Sequence, residues 1–291
     1  NLLLNFTYTD QEILYITPKK YDNTDYICTK ENITNAIKTL SGDLSSGDTL
    51  WVYVFAHGDV ERDGHTGYIE LVGGSKLLYD WELNQSLGQI TDGVDITVVI
   101  ESCCSGSFMD DLWMLDNVKV IITSTDWKSV SYTASRGLDP PEKYKQITNW
   151  DWNDTNPQDE GGEFSSGLIE GLNELKEQFI KGEITLGELY LQAFKTAKER
   201  DAGYRNGDVL EDRYGPKKKP NPLLNTVFFP GDITHDGFVN ILDISTAAKA
   251  YGTKPGDPKW NPNANMNRDR TINILDISAI AREYGMRYYD S

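Results

Sequence analysis

The chain has 291 residues, with 45 Asp and Glu against 28 Lys and Arg, a net charge of −17. That length can bury a large core and suggests two domains, while the acidity argues against nucleic acid and anionic membrane as partners. No apolar run approaches the ~20 residues that a membrane-crossing helix needs.

In chain order, residues 11–16 read as a short strand. Thr29-Lys30-Glu31-Asn32 has the form of a capped helix start, followed by Ile33, Ala36, Ile37 and Leu40 at helical spacing. Ser45 to Asp48 form a turn into the strand Thr49–Ala56, which runs straight into His57-Gly58-Asp59. Leu78, Trp81, Leu83 and Leu87 carry the spacing of a crossover helix. The β-branched run Ile96–Ile100 then reads as a buried strand of a parallel sheet, stopping at Glu101-Ser102-Cys103-Cys104-Ser105-Gly106. The opening is therefore β-α-β-α-β, a doubly wound pattern.

Ligands of such sheets bind beyond the carboxyl ends of the strands. If the two strands are parallel neighbours, about 4.8 Å apart, His57 and Cys103 emerge on one edge as a base and a nucleophile. Val118–Ile122 is a further buried strand. Residues 136–162, with Trp150 and Trp152, read as a long binding loop or lid. Helices are expected over 164–180 and 185–199, the second opening on Thr185 with Glu188 three residues later. Residues 201–222 are polar, with Lys217-Lys218-Lys219 held extended between prolines, and read as a solvated linker.

Three cysteines do not make a disulfide framework. Cys28 reads as a small buried hydrophobe, and His65 and His235 as loop residues. Asn5, Asn32, Asn84 and Asn153 head glycosylation sequons that an exported protein would expose. The chain opens on Asn1 rather than Met and is read as processed or incomplete. Residues 227–291 hold eight acidic and seven basic residues, so nearly all the negative charge belongs to residues 1–226.

The C-terminal part is an internal repeat. Val239-Asn240-Ile241-Leu242-Asp243-Ile244-Ser245 recurs 33 residues later as Ile272-Asn273-Ile274-Leu275-Asp276-Ile277-Ser278. Asp232, Thr234, Asp236, Gly237, Asn240 and Asp243 stand at positions 1, 3, 5, 6, 9 and 12 of an EF-hand-type calcium loop, with the Phe238 carbonyl at position 7. The second copy offers Asn265, Asn267, Asp269, Asn273 and Asp276, with the Thr271 carbonyl. It has two carboxylates against three and carries Arg270 where a turn glycine is usual, so two Ca2+ sites are expected, the second weaker. This doubled loop and helix resembles the dockerin domains, whose partners are cohesin domains. The resemblance implies a cohesin-like partner or self-assembly.

The pair Val54-Phe55-Ala56-His57-Gly58 and Glu101-Ser102-Cys103-Cys104-Ser105-Gly106-Ser107 resembles the legumain-like cysteine peptidases, relatives of caspases and gingipains. Ile122 to Tyr132 and Gly162 to Leu172 resemble that family's next strand, pocket loop and helix. The resemblance implies a caspase-hemoglobinase-like α/β three-layer sandwich with a mostly parallel sheet over residues 1–226. A small all-α calcium-binding domain over 227–291 would follow. It also implies a strand upstream of those seen here, so either a removed N-terminal fragment or another chain would fill the sheet position beside the His57 strand.

In the implied chemistry Cys103 attacks a peptide or protein substrate, His57 moves the proton, and the N–H groups of Gly58 and Cys103 hold the oxyanion. Cys104, Asp126, Ser129 and Ser131 would line the substrate pocket, Asp126 favouring a basic residue. Location at the cell surface or outside the cell follows from the same resemblance. The other readings are a catalytically inactive calcium-dependent assembly subunit and a transpeptidase.

Overall fold

The computed structural model describes residues 12–21, 24–71, 77–131, 163–205, 221–227, 229–234, 236 and 238–287. The loop expected over 136–162, the Lys217–Lys219 run, residues 1–11, Asn153, His235 and Gly237 lie outside the described residues.

The central sheet is built of β3 (Thr49–Phe55), β7 (Asp95–Glu101), β8 (Val118–Thr123) and β9 (Leu223–Thr226), in that spatial order. The intervening strands are named below. β3 and β7 are parallel, as are β7 and β8, while β9 runs antiparallel to β8. Because side chains alternate along a strand, β7 sends Ile96, Val98 and Ile100 to one face and Val99 to the other.

The first face is covered by α1 (Lys30–Asp43), α2 (Asp80–Leu87) and α3 (Met109–Leu112), through Ile37, Leu83, Leu87, Met109 and Leu112. The second is covered by α4 (Glu163–Ile180) and α5 (Leu186–Arg205), through Phe164, Leu168, Leu172, Leu189 and Phe194. A sheet buried on both faces needs the near-continuous apolar strands seen here, and the result is a mixed α/β sandwich of three layers. Both foreseen helix caps are present. Thr29 accepts from Asn32 N–H, and Thr185 and Glu188 exchange bonds between side chain and backbone.

Four local expectations change. The strand expected over 11–16 is reduced to β1 (Ile16–Thr17), which pairs in parallel with β2 (Tyr26–Ile27) apart from the main sheet. Residues 58–79 form an unforeseen antiparallel sheet of β4 (Gly58–Val60), β5 (Gly67–Glu70) and β6 (Leu77–Tyr79), so the crossover helix begins only at Asp80. Its strands are too short to show a periodicity. The β4–β5 turn is closed by Asp63, whose carboxylate accepts from the N–H groups of His65 and Thr66. The helix expected to stop at 199 continues to Arg205, inside the stretch read as linker, and β9 was not foreseen at all. Among the described residues nothing pairs with the outer edge of β3, where Tyr53 and Phe55 are 54% and 44% exposed.

Cys28 packs against the core as expected, and burial raises its thiol pKa. The sequon side chains of Asn32 and Asn84 donate to the carbonyls of Ile27 and Asp111, so a glycan on either would cost an internal bond. Beyond β9, a separate small core of Ile233, Val239, Ala247, Trp260, Ile272 and Ile280 joins the repeated helices α6 (Ile241–Lys249) and α7 (Ile274–Arg282). Asn240 and Asn273 cap these helices identically, each in a capping box with the Asp three residues on.

Candidate functional site

The register of β3 on β7 pairs Phe55 with Glu101. His57 and Cys103 each lie two residues further, at the carboxyl ends of neighbouring parallel strands. His57 is exposed and Cys103 half-buried. Gly58 carries the chain directly across the Cys103 turn. A Cβ on it would lie 2.9 Å from Ser102 Oγ and 3.0 Å from the Cys103 carbonyl oxygen. Glycine is thus required there by close approach, and the backbone just after His57 runs against the turn that bears Cys103.

That turn is held by hydroxyl groups at the end of β8. Ser102 O accepts from Thr125 Oγ1 at 3.2 Å, Ser105 N–H donates to the same hydroxyl at 3.0 Å, and Cys104 N–H donates to Ser129 O at 2.8 Å. Cys104 sits in the left-handed region at φ 55°, uncommon for a residue with a Cβ. The twist sends the two thiols to different neighbours. Cys103 Sγ lies 3.7 Å from Ser131 O, whereas Cys104 Sγ lies 3.7 Å from Asp59 Oδ1. Burial, then the Asp59 carboxylate, push the Cys104 thiol up to about 12, with Asp126 adding to the rise. Cys104 is therefore a neutral thiol near pH 7 and a poor nucleophile.

Each expected pocket residue borders this turn. The Asp126 backbone packs so closely under Gly106 that a Cβ there would meet it at 2.8 Å, and Asp126 Oδ1 accepts from Lys128 N–H. Ser129 is buried, and Ser131 Oγ accepts from Ser124 Oγ at 3.0 Å. Two residues were missed. Asp59 faces Cys104, and its only sequence signal was adjacency to His57-Gly58. Glu101, 1% exposed, accepts the N–H groups of Phe164 and Ser165 at 3.3 and 2.9 Å, which ties the first turn of α4 to the end of β7.

In the repeat, the two loops are internally bonded in the same way. Asp243 accepts from the N–H groups of Thr234 and Asn240 at 3.0 and 2.8 Å; Asp276 accepts from those of Asn267 and Asn273 at 3.2 and 2.8 Å. Asp232 accepts from Asp236 N–H, Asp236 from Phe238 N–H, and Asp269 from Thr271 N–H. Eleven of the twelve expected ligand positions thus take part in these bonds within the two loops, Asn265 being the exception.

Among the described residues no group of three or more His, Cys, Asp or Glu gathers as a metal cluster. The donors here are mixed with Asn, Thr and carbonyl oxygens, the set a hard cation takes. Asn265 Oδ1 is buried without a hydrogen-bond partner, and Asp243 and Asp276 are fully buried. An orphaned oxygen at position 1 beside a buried carboxylate fits Ca2+, which would be held by these residues.

The comparisons with known proteins divide the chain in the same way. Residues 1–112 match the family model described as "Metacaspase, peptidase C14 domain", and residues 230–283 match "Dockerin type I domain". Metacaspase-1 of Plasmodium falciparum (isolate 3D7) is 32% identical over 116 residues, which are 36% of this chain and 18% of that protein. Metacaspase-7 of Arabidopsis thaliana is 29% identical over 113 residues, 36% of this chain and 27% of that protein. The chain thus matches less than a third of the length of either relative. The crystal structure of protein GSU0716 from Geobacter sulfurreducens aligns at 16% identity with a TM-score of 0.36, over 68% of this chain and 73% of that one. With the sandwich and the doubled helical loop in place, residues 1–112 carry the match to the metacaspase C14 peptidase domain of the caspase clan, and residues 230–283 that to a separate dockerin-type domain.

Proposed function

We propose that the chain is a cysteine endopeptidase of the cell surface or extracellular space, with a peptidase domain over 1–226 and a calcium-bound docking domain over 227–291. The observation that carries this reading is the Phe55–Glu101 register, which brings the strand ends bearing His57 and Cys103 side by side. Cys103 Sγ attacks the scissile carbonyl carbon while its proton passes to His57. The resulting oxyanion is stabilised by the N–H groups of Gly58 and Cys103. As the C–N bond breaks, His57 returns the proton to the leaving amine and a thioester remains. Water activated by His57 then releases the acid and regenerates the thiol.

Two carboxylates, Asp59 and Asp126, act on the pocket beside Cys104, which favours a Lys or Arg side chain in the substrate. Ca2+ supplies the folding free energy of the small C-terminal core. Docking on a cohesin-like partner or a second copy is supported by the apolar pairs at the two helix starts. Ile241 and Leu242 are 61% and 54% exposed, and Ile274 and Leu275 59% and 61%. The strand beside β3 is supplied by an upstream fragment or another chain, which is supported by that edge's having no partner strand among the described residues.

A peptide library digested by the wild-type chain, with Cys103→Ala as control, tests the reading. Cleavage after Lys or Arg is expected, with kcat/KM about 10–100-fold lower in Asp126→Asn. Absence of cleavage, together with no selective labelling of Cys103 by a chloromethyl-ketone peptide, would instead favour an inactive assembly subunit.

A further inference from the structure

The second loop of the dockerin-type domain does more than close on itself. Arg268 and Arg270 flank Asp269, and both stand in the left-handed region, at φ 59° and 63°. Glycine relieves that conformation and arginine does not, so the loop alone gives no reason for either side chain. Both cross to the peptidase domain. The Arg268 guanidinium lies 4.0 Å from the Trp113 ring centroid and donates to Leu115 O at 3.0 Å, with Asp116 at 3.8 Å. Arg270 reaches Asp111 at 3.2 Å and Asp110 at 3.6 Å. Asp110 Oδ2 is buried with no hydrogen bond, and it faces only the Arg270 guanidinium and His65 Nδ1 among the ion-pair partners seen.

Asp110 and Asp111 belong to α3, which continues directly from the Cys103–Phe108 turn. The second loop of the repeat therefore grips the helix that follows the Cys103 turn. We infer that the second calcium loop is a cis clamp on the peptidase domain, so that calcium bound there orders residues 105–116 through Arg268 and Arg270. The clamp's partner is this chain's own α3 segment, and its grip uses loop residues only. Ile274 and Leu275, at the start of α7, stay exposed, so the domain can hold its own peptidase and dock elsewhere at the same time. Linkage makes the coupling reciprocal: whatever calcium does for α3, an intact contact with α3 does for calcium affinity.

The inference rests on calcium binding by the second loop, as proposed above, and the test separates the two. Full-length wild type and Arg270→Gly are compared by hydrogen–deuterium exchange in EGTA and in saturating Ca2+, with bound Ca2+ counted by native mass spectrometry. Arg270→Gly removes the guanidinium while relaxing the backbone at a position where glycine is usual, so the loop itself is preserved. Two Ca2+ are expected in both proteins. Calcium should slow exchange of residues 105–116 about fivefold or more in wild type, and less than about twofold in the variant. A second variant, Asp276→Asn, should bind one Ca2+ fewer and lose the slowing. Two bound Ca2+ with equal slowing in wild type and Arg270→Gly, or with none in wild type, overturns the clamp and leaves the calcium reading standing. No bound Ca2+ in wild type overturns the calcium reading and the clamp together.

Discussion

Two adjacent cysteines look equivalent in sequence, and their surroundings separate them. The positive φ of Cys104 turns its thiol toward Asp59, where desolvation and a like-charged neighbour both disfavour a thiolate. With its pKa pushed up to about 12, the Cys104 thiol stays almost wholly protonated at pH 8. Cys103 is half-buried at the sheet edge, and among the described residues no carboxylate is in hydrogen-bond contact with its sulfur; the Ser131 carbonyl lies beside it. Iodoacetamide at pH 8 should therefore label Cys103 at least about tenfold faster than Cys104, as tandem mass spectrometry of the shared peptide would show. On the peptidase reading, Cys104→Ala keeps activity within about threefold, whereas Cys103→Ala loses about a thousandfold or more. Equal labelling of both thiols, or full activity in Cys103→Ala, would reverse the assignment. In the sequence, motif spacing is what favours Cys103 over Cys104. The role of Asp59 was not legible there, because its contact with Cys104 spans 45 residues and arises only when β4 folds back over the turn.

At the scale of elements, Glu101 links the candidate site to the outer helix layer. Helix N-termini leave backbone N–H groups without intrahelical partners, and here a buried carboxylate at the end of β7 accepts two of them from α4. The helix dipole adds to the attraction. Glu101→Gln keeps one acceptor oxygen and sets an NH2 group against a remaining N–H. The substitution should cost about 1–3 kcal/mol, seen as a lower urea midpoint with an unchanged slope. An unchanged midpoint would mean that α4 is held by its apolar face alone, through Phe164, Leu168 and Leu172. The elements with long apolar runs, β3, β7, β8, α4 and most of α5, were readable because their periodicity persists over several residues. β4, β5, β6 and β9 were not, since three or four residues show no period and their pairing is chosen by what lies beside them.

The molecule as a whole joins a large core to a small one. The peptidase sandwich buries two apolar clusters on the faces of one sheet, while the dockerin-type domain has, among the described residues, one cluster of eight buried residues. A domain that small is only marginally stable by its apolar core, and this one buries the Asp232, Asp243 and Asp276 side chains at its loops. If Ca2+ neutralises them, its removal takes the compensating positive charge away from buried carboxylates. EGTA should accordingly unfold residues 230–283 at a temperature where the main sheet survives. Loss of exchange protection around Trp260, with protection retained along β7 and β8, would show it. A domain equally protected with and without the chelator would refute the dependence.

What the sequence determined by itself is whatever repeats locally: the apolar strands, the helical spacings, the 33-residue duplication and the loop oxygens at alternate positions. Each is set by backbone geometry within a few residues, so it is written in the order of side chains. Only the tertiary structure decided which distant groups meet: Asp59 with Cys104, Glu101 with the start of α4, and Arg270 with Asp110 and Asp111. Those pairs are 45 to 160 residues apart, and only packing brings them within a few ångströms.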